Sequence, residues 1–265
     1  MDVSNLSLFI SNNPYRFIGV PSNTGLKGIQ KNISKIKAFS KLDKFIDLDF
    51  DLSFLNLAKS TRSSEIISKV ESRILLDNNK LKYSLFWFQD ISTYDSVAIA
   101  NLIKGNTEKA IDIWTKSIKS SKVNSKNFSS FNNLSTLLIL LQLDNSKSDS
   151  FKNDENSIKK LNLAITQKII LINSDYFNEF CNSLGVNLEM SINEVQLFFA
   201  KTILQILIKN FTSSQLIELT NGLDKNFSEI IINSLVSDPI SIIKECIKSS
   251  ASDLKENESE GISIG

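Results

Sequence analysis

Histidine is absent from the 265 residues of this chain. Without it, catalytic Ser-His-Asp and Cys-His arrangements, histidine-containing zinc sites and imidazole pH switches are all excluded. Proline and glycine are scarce, with three and eight residues respectively. All-β folds usually need many Gly- and Pro-rich turns, so this composition favours a helical bundle or solenoid.

The chain also lacks an excess of either charge, since it has 30 Lys and Arg residues and 29 Asp and Glu residues. A chain so balanced has no overall field that would attract nucleic acid or an anionic membrane. The two cysteines, Cys181 and Cys246, are far apart and predict no disulfide framework, which favours a reducing compartment. Both fall on apolar helical patterns and are expected in the core.

Targeting and membrane-spanning signals are weak. The N-terminus MDVSNLSLFI lacks the basic start of a secretory signal peptide. The apolar stretches 134–143 and 195–208 are too short, or carry too many polar residues, to span a bilayer. We therefore expect a cytoplasmic protein with no membrane span in this chain.

Helical periodicity is the main structural signal and predicts an all-α protein. Leu26, Ile29, Ile33 and Ile36 share one helix face, with Ser22 or Thr24 as the expected N-cap. A helical hairpin is expected to turn at Gly105-Asn106. The other predicted helices cover 64–76, 78–88, 128–143, 157–172, 174–184, 191–210, 213–221, 225–236 and 239–250.

Several helix boundaries have recognisable local sequences. Ser191 and Glu194 have the spacing of a capping box. Asn221-Gly222 suits a helix end, and Asp238-Pro239 suits an N-cap followed by Pro in the first turn. Residues 252–265 form a polar, acidic stretch that is expected to be a frayed tail.

The alternating segment DLDFDLSF, residues 47–54, is expected to be an extended loop that packs Phe50, Leu52 and Phe54. Its regularly spaced aspartates are also found at the start of a calcium-binding EF loop. That motif requires Gly at its sixth position and Glu at its twelfth, which here are Leu52 and Ala58. The sequence therefore predicts no calcium site, and we expect no cofactor or metal.

The stretch NPYRFIGV contains Tyr15, Ile18, Gly19 and Val20 in the spacing Y-x-x-I-G-V. A basic helical pattern follows, and the later residues Ile74-Leu75-Leu76-Asp77, Lys80 and Tyr83 match the pattern L-x-D with a basic residue and Tyr after it. Over residues 12–90 the chain resembles a J domain, the module that stimulates the ATPase of 70-kDa chaperones. The resemblance implies a helical N-terminal module.

J domains stimulate that ATPase with a His-Pro-Asp tripeptide that follows their second helix. The corresponding position here holds Lys41-Leu42-Asp43, so only the aspartate is retained. The resemblance therefore implies a J-like module that cannot stimulate the ATPase.

Lysines repeat along the same predicted helix. Lys27, Lys31 and Lys35 lie four residues apart and share one face, and Lys41 follows them. The face is either simply solvated or a contact for an acidic partner, because electrostatic docking needs only a charged field. A chaperone is one such partner under the J-like resemblance. Nucleic acid is disfavoured because no aromatic residue or Arg alternates with these lysines.

The segment LKYSLFWF, residues 81–88, has more large apolar side chains than one helix face can bury. We expect it to be an internal seam between the N-terminal module and the following helices. The alternative is an exposed aromatic patch for a partner.

From Tyr94 to Leu143 the chain resembles tetratricopeptide repeats, helical hairpins that stack by burying small and large residues at fixed positions. Here those positions are occupied by Val97, Ala98, Gly105, Ala110, Ile111, Trp114 and Ile118, and a weaker second repeat begins at Phe131, Leu134, Ser135 and Leu138. With INSDYFNEF (172–180), these stretches resemble uncharacterised bacterial proteins in which a degenerate J-like start precedes helical repeats. The resemblance implies an adaptor role and supplies no activity.

These patterns predict a J-like module at 12–90, tetratricopeptide-like hairpins at 91–143 and a helical continuation at 157–250. The expected function is a non-catalytic module that binds another protein, with Lys27, Lys31, Lys35 and Lys41, and the concave side of the hairpin stack, as candidate contacts. One alternative is a regulator that docks on a 70-kDa chaperone without stimulating its ATPase. The other is an enzyme whose site forms only in the fold.

Overall fold

The computed structural model describes residues 12–44, 46–52, 62–119, 122–145, 155–210 and 212–233. All regular structure in these ranges is helical, which confirms the all-α prediction. Residues 225–233 are also helical. The α-helices are α1 Pro14–Ile18, α2 Leu26–Ser40, α3 Ser64–Arg73, α4 Asp77–Ser84, α5 Thr93–Ile103, α6 Thr107–Ser117, α7 Phe128–Asn145, α8 Glu155–Ile172, α9 Phe177–Ser183, α10 Ile192–Asn210 and α11 Ser213–Asn221.

Helix α1 is a single buried turn that is closed at both ends. The side chain of Asn13 accepts a hydrogen bond from the backbone N–H of Tyr15 at 3.1 Å. The helix ends at Gly19, whose φ of 75° lies in the left-handed region. A Cβ at that position would lie 2.5 Å from Cδ1 of Leu48. Both the backbone conformation and the close packing therefore require glycine.

Helix α2 buries Ile33 and Ile36 as the periodicity predicts, but its N-cap differs from the prediction. The capping position is Gly25, which has no side chain to bond the first turn, so neither Ser22 nor Thr24 is the cap. The hydroxyl of Ser22 instead donates to the carbonyl of Phe88 at 3.1 Å. Ser22 thus ties the start of α2 to the seam segment.

The segment predicted as an extended loop contains a 3₁₀ turn at Asp49–Asp51. The Asp51 carboxylate accepts the backbone N–H of Leu48 at 2.9 Å, which closes the turn and explains the departure from extended geometry. Phe50 and Leu52 are buried as expected. Phe54 lies outside the described residues.

The predicted helices 64–76 and 78–88 both end earlier than expected. Helix α3 stops at Arg73, so Ile74 to Leu76 form a turn, and the J-like pattern there spans a turn instead of one helix. Helix α4 stops at Ser84, and Leu85 to Phe88 are all buried. Because a helix cannot point four consecutive residues at one face, the chain leaves the helix to bury them.

That buried segment confirms the predicted internal seam. The ring of Phe86 stacks on Phe199 of α10 at 5.5 Å between centroids. The ring of Phe88 stacks on Trp114 of α6 at 5.8 Å. Residues 81–88 therefore join the N-terminal helices to two later parts of the chain.

Helices α5 and α6 form the expected hairpin, and Gly105 at its turn has a φ of 79°. Helix α7 then runs through the centre, in contact with α5, α6, α8 and α9. Every residue from Phe128 to Leu140 is buried. Helix α8 returns beside α7 and also contacts α10 and α11.

The other helix boundaries follow their local sequences. Ser191 and Glu194 form the predicted capping box, with the Glu194 carboxylate accepting the backbone N–H of Ser191 at 2.8 Å. Gly222 ends α11 as predicted. Helix 239–250, its cap Asp238-Pro239 and the tail 252–265 lie outside the described residues, and the domain boundaries stay predictions.

In the described part of the chain, no helix combines the length and apolar character needed to cross a bilayer.

Candidate functional site

The lysine face consists of Lys27, Lys31 and Lys35 on α2, with Lys41 in the turn that follows, and all four side chains are exposed. The sequence of α2 contains no acidic residue that could neutralise them locally. None of the ion pairs found among the described residues involves these four lysines. The face therefore presents several positive charges to solvent.

Lys37 on the same helix has a different environment. Its Nζ lies 3.3 Å from Oε2 of Glu71 on α3, and the amide of Gln30 donates to Oε1 of Glu71 at 2.7 Å. The Gln30 hydrogen bond, with a smaller contribution from Lys37, lowers the pKa of Glu71. The Glu71 carboxylate is thus already bonded to two side chains of α2, on the side that packs on α3.

The segment Lys41-Leu42-Asp43, which the predicted J-like resemblance aligns with the tripeptide, is an exposed turn. Lys41, Leu42 and Asp43 are all exposed, and the Leu42 side chain is 66% accessible. Asp43 has a φ of 51°, which tightens the turn. The turn is therefore accessible to a partner, but its side chains are not those of the stimulating motif.

An arginine next to α1, whose side chain is 7% exposed, serves a structural purpose. Arg62 donates to the carbonyls of Phe17 at 2.8 Å and Ile46 at 3.2 Å, and its Nη1 donates to Oδ2 of Asp51 at 3.0 Å. A guanidinium suits this role because its planar fork donates in several directions at once. Arg62 thus fastens α1 to the 3₁₀ turn.

Asp95 is the centre of a second buried network, which sequence reasoning missed. Its side chain is fully buried and accepts six hydrogen bonds. The donors include Trp114 Nε1 at 3.0 Å, Asn133 Nδ2 at 2.9 Å and the Ser129 hydroxyl at 2.6 Å. One carboxylate therefore joins α5, α6 and α7.

Lys168 on α8 is the second buried ionisable side chain of this interior. Its Nζ donates to the carbonyl of Leu85 at 2.6 Å and to that of Asn132 at 3.2 Å, and it also contacts Oδ1 of Asn132. It lies 3.3 Å from Oγ1 of Thr136 as well. Burial lowers the pKa of Lys168 well below its usual value. The amine thus connects α7 and α8 to the end of α4.

A lysine beside a hydroxyl is an arrangement that hydrolytic chemistry can use, since an amine of lowered pKa can act as a base. Here Lys168 is 0% and Thr136 is 2% exposed, so solvent does not reach either group. The amine is also engaged by main-chain carbonyls. We assign structural roles to both Lys168 and Asp95.

Sequence signals for both residues exist in retrospect. Ser92 and Asp95 have capping-box spacing, and the structure shows that box at the start of α5. Lys168 lies three residues after Ile165 and four before Ile172, on the buried stripe of α8. A lysine in an apolar stripe signals a buried amine with polar partners.

An apolar groove on the α5–α6 hairpin was also missed. The α5–α6 groove is lined by Thr93, Tyr94, Val97, Ile113 and Lys116 and has a volume of about 450 Å³. The hairpin pattern predicts Val97 at a packing position, but the residue is 48% exposed. The other small packing residues, Ala98 and Ala110, are fully buried. Val97 therefore faces outward while its neighbours on the hairpin are enclosed.

Further chemistry is limited in the described residues. Cys181 is buried, as predicted, and burial raises its thiol pKa to about 12. A thiol of that pKa is a poor nucleophile. No group of His, Cys, Asp or Glu side chains in the described part of the chain could hold a metal ion. Cys246 lies outside the described residues.

Comparison with known proteins gives no match, whether to a family model, to a curated protein or to a solved structure. The J-like and tetratricopeptide-like resemblances therefore stay predictions from the sequence.

Proposed function

We propose that this chain is a non-catalytic module that binds an acidic surface of another protein through the lysine face of α2. One observation carries the proposal. The exposed side of α2 bears lysines with no acidic residue on the helix and no ion-pair partner among the described residues.

Electrostatics supports a partner of opposite charge. Unneutralised charges on one helix face steer an acidic surface toward the protein and fix its orientation. The position of the lysine face also favours binding of such a partner, because Ile33 and Ile36 anchor α2 in the core and Lys37 joins α2 to α3. The lysines are therefore presented on a fixed helix.

The test is affinity capture from a lysate of the source cells with three forms of the protein. These are the wild type, the variant Lys27→Glu/Lys31→Glu/Lys35→Glu, and a control variant with three exposed lysines reversed elsewhere. The control changes Lys160, Lys201 and Lys225, which are all exposed, and alters the net charge equally. We expect one acidic protein to be captured by the wild type and the control but not by the α2 variant. Equal capture by all three forms would contradict the proposal.

A chaperone-docking regulator is the specific form of this function that the J-like resemblance suggests. If the captured protein is a 70-kDa chaperone, its ATPase rate should be unchanged by the chain, because Lys41-Leu42-Asp43 stands where the stimulating tripeptide would be. Stimulation of the ATPase would contradict this form of the proposal.

A further inference from the structure

The exposed side of α2 consists of two neighbouring rows of side chains. One row belongs to the lysine face, where Lys27, Lys31 and Lys35 follow one another at intervals of four residues. The other exposed residues of the helix have the same spacing and are Leu26, Gln30, Ser34 and Ala38. Because residues four apart lie one above another on a helix, the second row runs beside the first.

Both ends of this surface are apolar. Leu26 begins α2 and is 70% exposed, and Leu42 lies in the turn after the helix and is 66% exposed. They are the two most exposed large apolar side chains in the described part of the chain. The distance between their positions is about 24 Å at the helical rise of about 1.5 Å per residue. An occupant that covers both leucines therefore spans the whole length of α2.

The middle of the second row carries small side chains, those of Ser34 and Ala38. Gln30 does not cover them, because its amide is bonded to Glu71 of α3 at 2.7 Å. Residues four apart form ridges on a helix, and the grooves between the ridges receive the side chains of a second helix. Small side chains at such a contact let the two helix axes come closer.

From this surface we infer that the partner presents an acidic amphipathic helix that lies along α2. The inference rests on the proposed function and names the kind of partner that the lysine face binds. Carboxylates at every third or fourth residue of the partner helix lie opposite the lysine row, because both helices have the same rise of about 1.5 Å per residue. Apolar side chains of the partner pack over Ser34 and Ala38 and contact the leucines at both ends.

Three other occupants fit the surface less well. An extended peptide gains affinity by adding a strand to a sheet edge, and all regular structure in the described ranges is helical. An amphipathic helix at a membrane surface buries its own apolar face in lipid, whereas Ile33 and Ile36 of α2 are buried in this protein. A two-fold contact between copies of the chain would bring the same lysines together, where like charges repel.

The test begins with a library of peptides locked as helices by side-chain cross-links. Each peptide is about 18 residues long, which at about 1.5 Å per residue is enough to span α2. Selection on the immobilised full chain should enrich carboxylates at every third or fourth position, with aliphatic residues beside them. Failure to enrich any peptide, or enrichment without that repeat, would overturn the inference.

The best enriched peptide is then labelled with a fluorophore, and its affinity is measured by anisotropy. The triple variant Lys27→Glu/Lys31→Glu/Lys35→Glu should bind it at least about tenfold more weakly. Ala38→Trp should weaken binding by about tenfold too, because the indole fills the space that the partner helix occupies. Ala100→Trp, at an exposed alanine on α5, is the matched control and should leave the affinity unchanged. Since Ala38→Trp preserves the charge, unchanged affinity for that variant would mean a purely electrostatic contact and would overturn the inference.

A second peptide separates this inference from the proposed function. It has the same charged residues, no cross-link and a central proline, which breaks a helix, so we expect it to bind at least about tenfold more weakly. Equal affinity of the two peptides, lost for both in the triple variant, would overturn the inference and leave the proposed function standing. Affinity that is indifferent to the triple variant would contradict both.

Vesicles of phosphatidylserine and phosphatidylcholine provide the last comparison. We expect the wild type and the triple variant to sediment with them equally little, because the apolar face of α2 is already buried in the protein. Binding of the wild type that the triple variant loses would assign the lysine face to lipid headgroups and would overturn the inference.

Discussion

In the interior around α7, Asp95 and Lys168 are enclosed by protein and bonded to several polar atoms each, whereas the lysine face lies in solvent and has no ion-pair partner among the described residues. Both regions belong to one helical fold, and both depend on charged side chains. The difference lies in where the complementary atoms are found. For the interior they come from other helices of this chain, and for the lysine face we propose that they come from another protein.

This comparison separates residues that hold the fold from residues available for binding. Removing a buried charge leaves its former partners unsatisfied in a medium that cannot solvate them. Changing an exposed lysine leaves no partner unsatisfied, because water replaces the lost contacts. Stability measurements should therefore distinguish the two regions before any partner is identified.

The largest effect is expected for Asp95→Ala. The substitution leaves the indole N–H of Trp114, the amide of Asn133 and nearby serine hydroxyls without their acceptor. We expect the free energy of unfolding to fall by about 3–5 kcal/mol. Urea denaturation followed by tryptophan fluorescence measures this. A loss below about 1 kcal/mol would show that the network does not hold the three helices together.

A smaller loss is expected for Arg62→Lys. The substitution keeps the charge but removes the planar fork that reaches the carbonyls of Phe17 and Ile46 together with Asp51. We expect a loss of about 2–3 kcal/mol in the free energy of unfolding. The matched control is Lys69→Arg, at an exposed ion pair with Glu65, which should change stability by less than about 0.5 kcal/mol. Equal effects of the two substitutions would contradict the role assigned to Arg62.

For Lys168 the comparison predicts a dependence on pH. Burial lowers its folded-state pKa below the unfolded value of 10.5, so in the window between the two values the unfolded chain binds the extra proton. Stability from this residue therefore rises with pH across that window, by at most about 1.4 kcal/mol per pH unit.

The measurement compares wild type with Lys168→Met between about pH 7 and pH 9, which stays near or below the usual pKa of cysteine and tyrosine. Burial raises the folded-state pKa of Cys181 and of Tyr15 to about 12, so their contributions to stability begin to decline as the pH passes the usual values of 9.0 and 10.0, and both proteins share that decline. The stability of wild type relative to the variant should increase with pH. A constant difference would mean that Lys168 titrates normally in the folded state.

The smallest effect on stability is expected for the lysine face. The variant Lys27→Glu/Lys31→Glu/Lys35→Glu should change the free energy of unfolding by less than about 0.5 kcal/mol for each substitution, because these side chains have no partner among the described residues. Thermal and urea denaturation of the folded variant measure this. A loss as large as that of Asp95→Ala would show that the lysines hold the fold and would undermine the capture experiment.

The sequence predicted those features that depend on neighbouring residues. Helix periodicity, the turn at Gly105, the capping box at Ser191 and the seam at residues 81–88 all follow from short stretches. Contacts between stretches that are far apart along the chain could not be predicted from the sequence. Asp95 meets donors as far along the chain as Asn133, and Lys168 meets Leu85, so these networks exist only after the helices pack.

Of the two candidate surfaces, one follows from neighbouring residues and the other depends on the packed fold. The lysine face could be predicted because a repeat of four residues places its charges on one side of α2. The α5–α6 groove could not be predicted, because the hairpin pattern places Val97 among the packing positions, whereas in the structure it is 48% exposed and lines the groove.

The central claim is that the lysine face meets carboxylates of a partner protein, and zero-length carbodiimide cross-linking tests it most directly. The captured partner is mixed with the wild-type chain, and amide bonds between lysines and partner carboxylates are located by mass spectrometry. The account predicts cross-links from Lys27, Lys31 or Lys35 and none from the buried Lys168. Cross-links confined to lysines outside the lysine face would contradict it.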